Sequence, residues 1–205
     1  MDWLRRGRRE PSKDAAEDDE AKPSRVERAS PGVAALLEGL GGGGDHAVLD
    51  FGPALGGNLR VYSRFARRVR FADLLTAPPA GTSWEAALSD LPSFPNQRYD
   101  LVFAWNLLDR IAPEQRHLFV ERLVDLTAPN TRLYVVVDTT GDRSTRPLRF
   151  NLIGEDRVSQ EPTGPPIPAW PQILPAEMER LLEPFRVAQA FVLRLGMREY
   201  VAVRG

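Results

Sequence analysis

Apolar residues in this chain cluster in short runs, broken by glycine and proline, and the spacing within the runs switches between helical and strand-like periods. At Ser30-Pro31 the pattern opens a helix: serine caps free N–H groups, proline fits the first turn, and Leu36, Leu37 and Leu40 follow. Gly41 to Gly44 end it, and residues 46–51 then read as a short buried strand. Gly52 to Gly57 make a turn into a second helix with Leu59, Tyr62, Ser63 and Ala66 on one face, closing at Arg67-Arg68 before a strand over 69–73. This is a β-α-β unit. Residues 74–98 are crowded with proline and glycine and predict only one short helix, over 84–88. A strand over 100–105, a helix over 113–126 with Leu118, Phe119, Val120, Leu123 and Val124 inward, and a strand over 132–138 follow. Such alternation predicts a parallel sheet.

No helix is predicted over 139–171. The prolines of 162–171 predict an extended surface arm, with a hairpin over 148–159. After a last helix over 175–182, strands over 187–195 and 198–203 meet at Gly196, too close for a crossover helix, so they are expected to pair antiparallel.

A length of 205 residues suits one domain. Its 27 Lys+Arg balance 28 Asp+Glu, which leaves no overall field to hold nucleic acid, and none is expected as a partner. With no cysteine, disulfides, thiol catalysis and thiolate metal sites fall away together. His46 and His117 are the only histidines and read as structural, so no metal site is expected. No apolar run reaches the ~20 residues of a membrane span, and the start of the chain lacks the apolar core of a secretion signal. The expected location is the cytoplasm. Residues 1–30 form a charged tail, with Arg5, Arg6, Arg8 and Arg9 after Trp3-Leu4 and an acidic block from Glu17 to Glu20. A solvated tail is the plain reading; a protein partner or a lipid headgroup surface is the alternative, which would put the protein at the periphery of a membrane. The domain proper is then 31–205, with a long Pro-rich arm over 139–171 as a second candidate contact for a protein partner.

Chemistry enters at Val48-Leu-Asp-Phe-Gly-Pro-Ala-Leu-Gly-Gly-Asn58. This segment resembles motif I of the class I S-adenosylmethionine-dependent methyltransferases, a strand ending in an acid followed by G-x-G-x-G. Tyr99 to Ile111 looks like the family's fourth strand and turn, and the closing hairpin like its reversed last strand. The resemblance runs from about Ala47 to Val203 and implies a three-layer, Rossmann-like α/β fold. It also implies S-adenosylmethionine as cofactor if any binds, held through Asp50, Gly52, Ala54, Gly56 and Asp73. Glycines let backbone approach a ligand, and a helix N-terminus offers free N–H groups to a carboxylate. Asp50 is expected to brace the loop. Asp73 stands 73 − 52 = 21 positions beyond Gly52, near the ~20 of a ribose-binding acid.

Three departures stand beside the match. Pro53-Ala54 replaces the second glycine, too few ordered-looking residues separate Asp73 from Asp100 for the family's usual second helix and third strand, and no acid has a secure place at the adenine. Where many members carry a histidine pair, this chain has Asp109-Arg110, leaving Asn106 and Asp109 as candidate catalytic groups or plain turn caps. The favoured expectation is a methyltransferase-fold protein with a degraded cofactor site, acting as a non-catalytic accessory subunit. An active methyltransferase of unknown acceptor is the alternative. A dinucleotide oxidoreductase ranks last, because the terminal hairpin fits it poorly.

Overall fold

The chain enters its fold at Val26, four residues ahead of the predicted helix, in the computed structural model that describes residues 25–75, 83–91, 98–141, 144–194 and 196–205. The tail reading falls on residues 1–24, outside the described residues, apart from its last few positions. Those form β1 (Val26–Ala29). Ser30 caps α1 (Pro31–Leu37), its hydroxyl accepting from the Val33 N–H at 3.3 Å. Then come β2 (His46–Asp50), α2 (Gly56–Tyr62), β3 (Ala66–Phe71), α3 (Trp84–Ser89) and β4 (Tyr99–Trp105). Two short 3-10 turns lead into α4 (Arg116–Leu126) and the long β5 (Thr127–Asp138). The arm holds β6 (Ser144–Thr145), β7 (Leu148–Leu152), β8 (Arg157–Pro162) and β9 (Ile167–Pro168). The chain closes with α5 (Pro175–Leu181), β10 (Phe185–Leu193) and β11 (Met197–Arg204).

One six-stranded sheet, in the order β10-β11-β5-β4-β2-β3, carries the architecture. β3, β2, β4 and β5 run parallel, and β11 and β10 pair antiparallel at the other edge, as the spacing around Gly196 requires. The central strands are apolar almost throughout, as strands covered on both faces must be: Leu101 to Trp105 and Leu133 to Val137 are all buried. Among the described residues no strand lies beyond β3. No helix among them is long and apolar enough to cross a membrane.

Two expectations change. The second helix ends at Tyr62 rather than running to Arg67-Arg68, and its inward side chains are Asn58, Val61 and Tyr62, while Leu59 points out at 45 % exposure. A buried carboxylate on β2 draws the polar pair inward, which an apolar count cannot foresee. The arm, second, forms the hairpin expected over 148–159 but packs it against the core. β7 and β8 fold back as a hairpin, bury Phe150, Leu152 and Val158, and take β1 as a third strand.

Candidate functional site

Asp50 ends β2 with no exposure, and a buried carboxylate must find donors for its lone pairs. It finds four. Oδ1 accepts from the Gly52 N–H at 2.8 Å and from the Trp105 indole Nε1 at 2.5 Å. Oδ2 accepts from Asn58 Nδ2 at 3.0 Å and the Tyr62 hydroxyl at 2.8 Å. Asn58 and Tyr62 lie one helical turn apart, so a short helix suffices to aim both at one acid. Asn58 in turn accepts from the Leu152 N–H at 2.7 Å, which ties the arm to the start of α2.

Burial pushes the Asp50 carboxyl up to about 6, with the hydrogen bonds from Gly52, Trp105, Tyr62 and Asn58 pulling the other way. The folded-state value lies above the unfolded one, so the protonated acid favours folding. That contribution is complete at low pH and fades as pH rises toward about 6. Asp50→Asn cannot titrate. The stability difference between wild type and this variant should narrow from pH 4 to 6 in urea unfolding series, by roughly 2–3 kcal/mol in all; a constant difference would refute it.

Trp105 is the residue the sequence underrated. It sits at the end of β4 in the left-handed region, at φ 51°, with its side chain fully buried. The indole stacks flat on Phe150 of β7, ring centres 5.1 Å apart and 4° from parallel, and meets Tyr134 edge-on at 5.5 Å. Beneath it lies Gly52, where a Cβ would come 3.3 Å from Nε1. At the other end of the loop the hairpin presses on Gly57, where a Cβ would come 2.5 Å from the Leu152 carbonyl oxygen and also strike Asn151. Both glycines are needed because the chain's own groups approach them. Between them Ala54 and Gly56 stay exposed.

Asp73 lies two residues beyond β3 and is exposed, between Ala72 and Leu74, whose N–H groups donate to the Asp50 and Phe51 carbonyl oxygens at 2.8 and 3.0 Å. Its charge opposes the downward pull of burial on the Arg110 guanidinium. Asn106 and Asp109, by contrast, come together. With Asp138 they line a hollow at the carboxyl ends of β4 and β5, shared with Trp170 of the arm and Gln172 just beyond it. Its free volume is about 30 Å³, room for roughly two water molecules. Asp109 Oδ2 accepts from the Asp138 N–H at 2.9 Å, and burial pushes this carboxyl up to about 7. His46 packs edge-on to Phe65 at 6.4 Å, and His117 is exposed on α4. No cluster of three or more metal-binding side chains occurs among the described residues. Sequence reasoning missed Asn58, Tyr62, Phe150, Asp138, Trp170 and Gln172. The polar i, i+4 pair Asn58 and Tyr62 was the one available signal.

The sequence matches no protein-family model and no curated protein. Solved structures do match. One is the Burkholderia thailandensis 1,6-didemethyltoxoflavin-N1-methyltransferase, with bound 1,6-didemethyltoxoflavin and S-adenosylhomocysteine, at 20 % identity and TM-score 0.51, covering 85 % of this chain and 76 % of that one. Another is an S-adenosylmethionine-dependent methyltransferase from Mesorhizobium loti, at 12 % identity and TM-score 0.50, covering 85 % and 96 %. With the parallel sheet and reversed final hairpin, this likeness establishes the architecture: the chain has the fold of the class I S-adenosylmethionine-dependent methyltransferases.

Proposed function

We propose that this chain is a methyltransferase-fold protein whose cofactor cleft is closed by its own side chains, and that it serves as a non-catalytic subunit of a larger assembly. The observation that carries this reading is Trp105 on Gly52. In the family the methionine portion of S-adenosylmethionine lies against that glycine; here an indole rests there, stacked under Phe150 and bonded to Asp50. Asn151 and Leu152 press on Gly57 at the amino end of α2, and Asp50 has both oxygens engaged. The residues present do not fit the group. The loss of the second motif glycine to Ala54 and the absence, among the described residues, of a strand beyond β3 support the same reading.

A protein partner supplies the rest of the proposal. The amino-terminal segment with Trp3-Leu4 and its four arginines is the natural contact, to an acidic protein surface first and to lipid headgroups second. Leu174, near the end of the arm region, and Val192 on the sheet edge are large apolar side chains left outward at 56 % and 74 % exposure.

Active methyl transfer is the second reading, favoured by the exposure of Ala54, Gly56 and Asp73. Titration of the full chain with S-adenosylmethionine and S-adenosylhomocysteine separates the two. No saturable heat and no thermal shift are expected up to ~1 mM ligand. A ligand at 100 times its Kd would stabilise the fold by about 2.7 kcal/mol, so a clear shift would overturn the proposal.

A further inference from the structure

The hollow beside β4 and β5 has a chemistry of its own, independent of whether the cleft binds a cofactor. Asn106 is 5 % exposed, yet its Oδ1 has no hydrogen-bond partner. Buried acceptors in native proteins are almost always completed, by protein, water, an ion or a ligand. Asp109 and Asp138 are half-engaged. Asp109 uses one oxygen for the Asp138 N–H, and Asp138 uses one for the Thr140 N–H and hydroxyl, both at 2.6 Å. The second oxygen of each has no hydrogen bond among the described residues. No lysine, arginine or histidine is among the described residues lining the hollow. Arg116, whose charge acts on Asp109, is turned to the carbonyls of Leu108, Ile111 and Pro171 and to Glu177 at 3.6 Å.

We infer that this hollow binds an alkylammonium headgroup, its N–H donors meeting Asn106 Oδ1 and the free oxygens of Asp109 and Asp138 under the indole of Trp170. Each element of the site fits that ligand. Acceptors without donors call for a cation that carries hydrogens, and an aromatic face beside them attracts its charge. The volume of about 30 Å³ admits a headgroup and not a whole molecule. Trp170 is 45 % exposed at the hollow, and Leu148 and Met197 add apolar lining beside it for a carbon tail. A bare metal ion is less well served, since no cluster of three or more ligating side chains occurs among the described residues. The groups acting on Asp109 are the Asp138 carboxylate on β5, which raises its pKa, and Arg116 on α4, which lowers it, with burial the largest influence.

Ethylammonium chloride titrated into the full chain, followed by calorimetry and thermal shift, tests this, with sodium chloride and ethanol as charge and shape controls. Saturable binding of ethylammonium alone is expected. Asp109→Asn should weaken it at least ~10-fold, and Trp170→Ala, at a half-exposed position that leaves the core intact, several-fold. Affinity should also fall as pH drops below about 7, where Asp109 takes up a proton. A response matched by sodium chloride or ethanol, an unchanged affinity in the Trp170→Ala protein, or displacement of the amine by equimolar magnesium or calcium would each overturn the assignment.

Discussion

Trp105→Ala is expected to lower the unfolding free energy by about 3–5 kcal/mol in urea titration, the range for truncating a large buried aromatic. The size follows from what the indole does. It is fully buried, stacks on Phe150, and fills the space above Gly52. It also supplies one of the four donors to Asp50, so its loss leaves a buried carboxylate under-bonded. Alanine inherits the left-handed backbone at φ 51° and relieves nothing there. Trp105→Gly should recover part of the loss. The same truncation uncovers Gly52, and the variant should bind S-adenosylhomocysteine more tightly than wild type in calorimetry. Equal, absent binding in both proteins would mean that the hairpin on Gly57 closes the cleft without the indole.

Arg28→Ala should be comparably severe. Glu199 on β11 has no exposure and accepts from Arg28 at 2.5 Å, Ser30 at 2.7 Å, the Gly32 N–H at 2.8 Å and Tyr134 at 2.8 Å. Removing the only cation paired with that carboxylate among the described residues costs about 3–5 kcal/mol, because the remaining charge is buried without its counterion. Burial, followed by the charge of Glu199, already holds the Tyr134 hydroxyl well above its ordinary pKa. The double variant Arg28→Ala/Glu199→Gln should be less destabilised than the sum of its two singles, the signature of a coupled pair. Strict additivity in urea unfolding would contradict the coupling. Since Arg28 lies on β1 and Ser30 caps α1, the pair fastens the entry of the chain to the main sheet.

The backbone plan was readable because its signals are local. The runs around Val48, Leu101 and Val135 are buried strands by composition alone, and the one-glycine link at Gly196 left only an antiparallel pairing. In the arm, the hairpin expected over 148–159 is there as β7 and β8, but its pairing with β1 is long-range, and nothing in the local composition announces it. At the site, Asp50, Gly52, Asn106 and Asp109 could be named from the motif and its spacing. Their partners could not. Trp105 and Phe150 are 45 residues apart, and nothing in either segment announces a stack between them. Asp138 and Trp170 likewise join Asn106 only because β5 and the arm end beside β4. Side-chain company of this kind is set by tertiary packing, to which local periodicity is blind.

Among the described residues β3 forms the rim of the main sheet. Rims with free N–H and C=O groups invite a second copy to zip on, and natural proteins guard them with charge. Here Arg67, Arg68 and Arg70 crowd a stretch of six residues, with Arg68 laid over the Tyr99 ring at 5.2 Å. Two such rims facing each other would bring these like charges together. A rim of this charge carries its own deterrent to stacking into fibres.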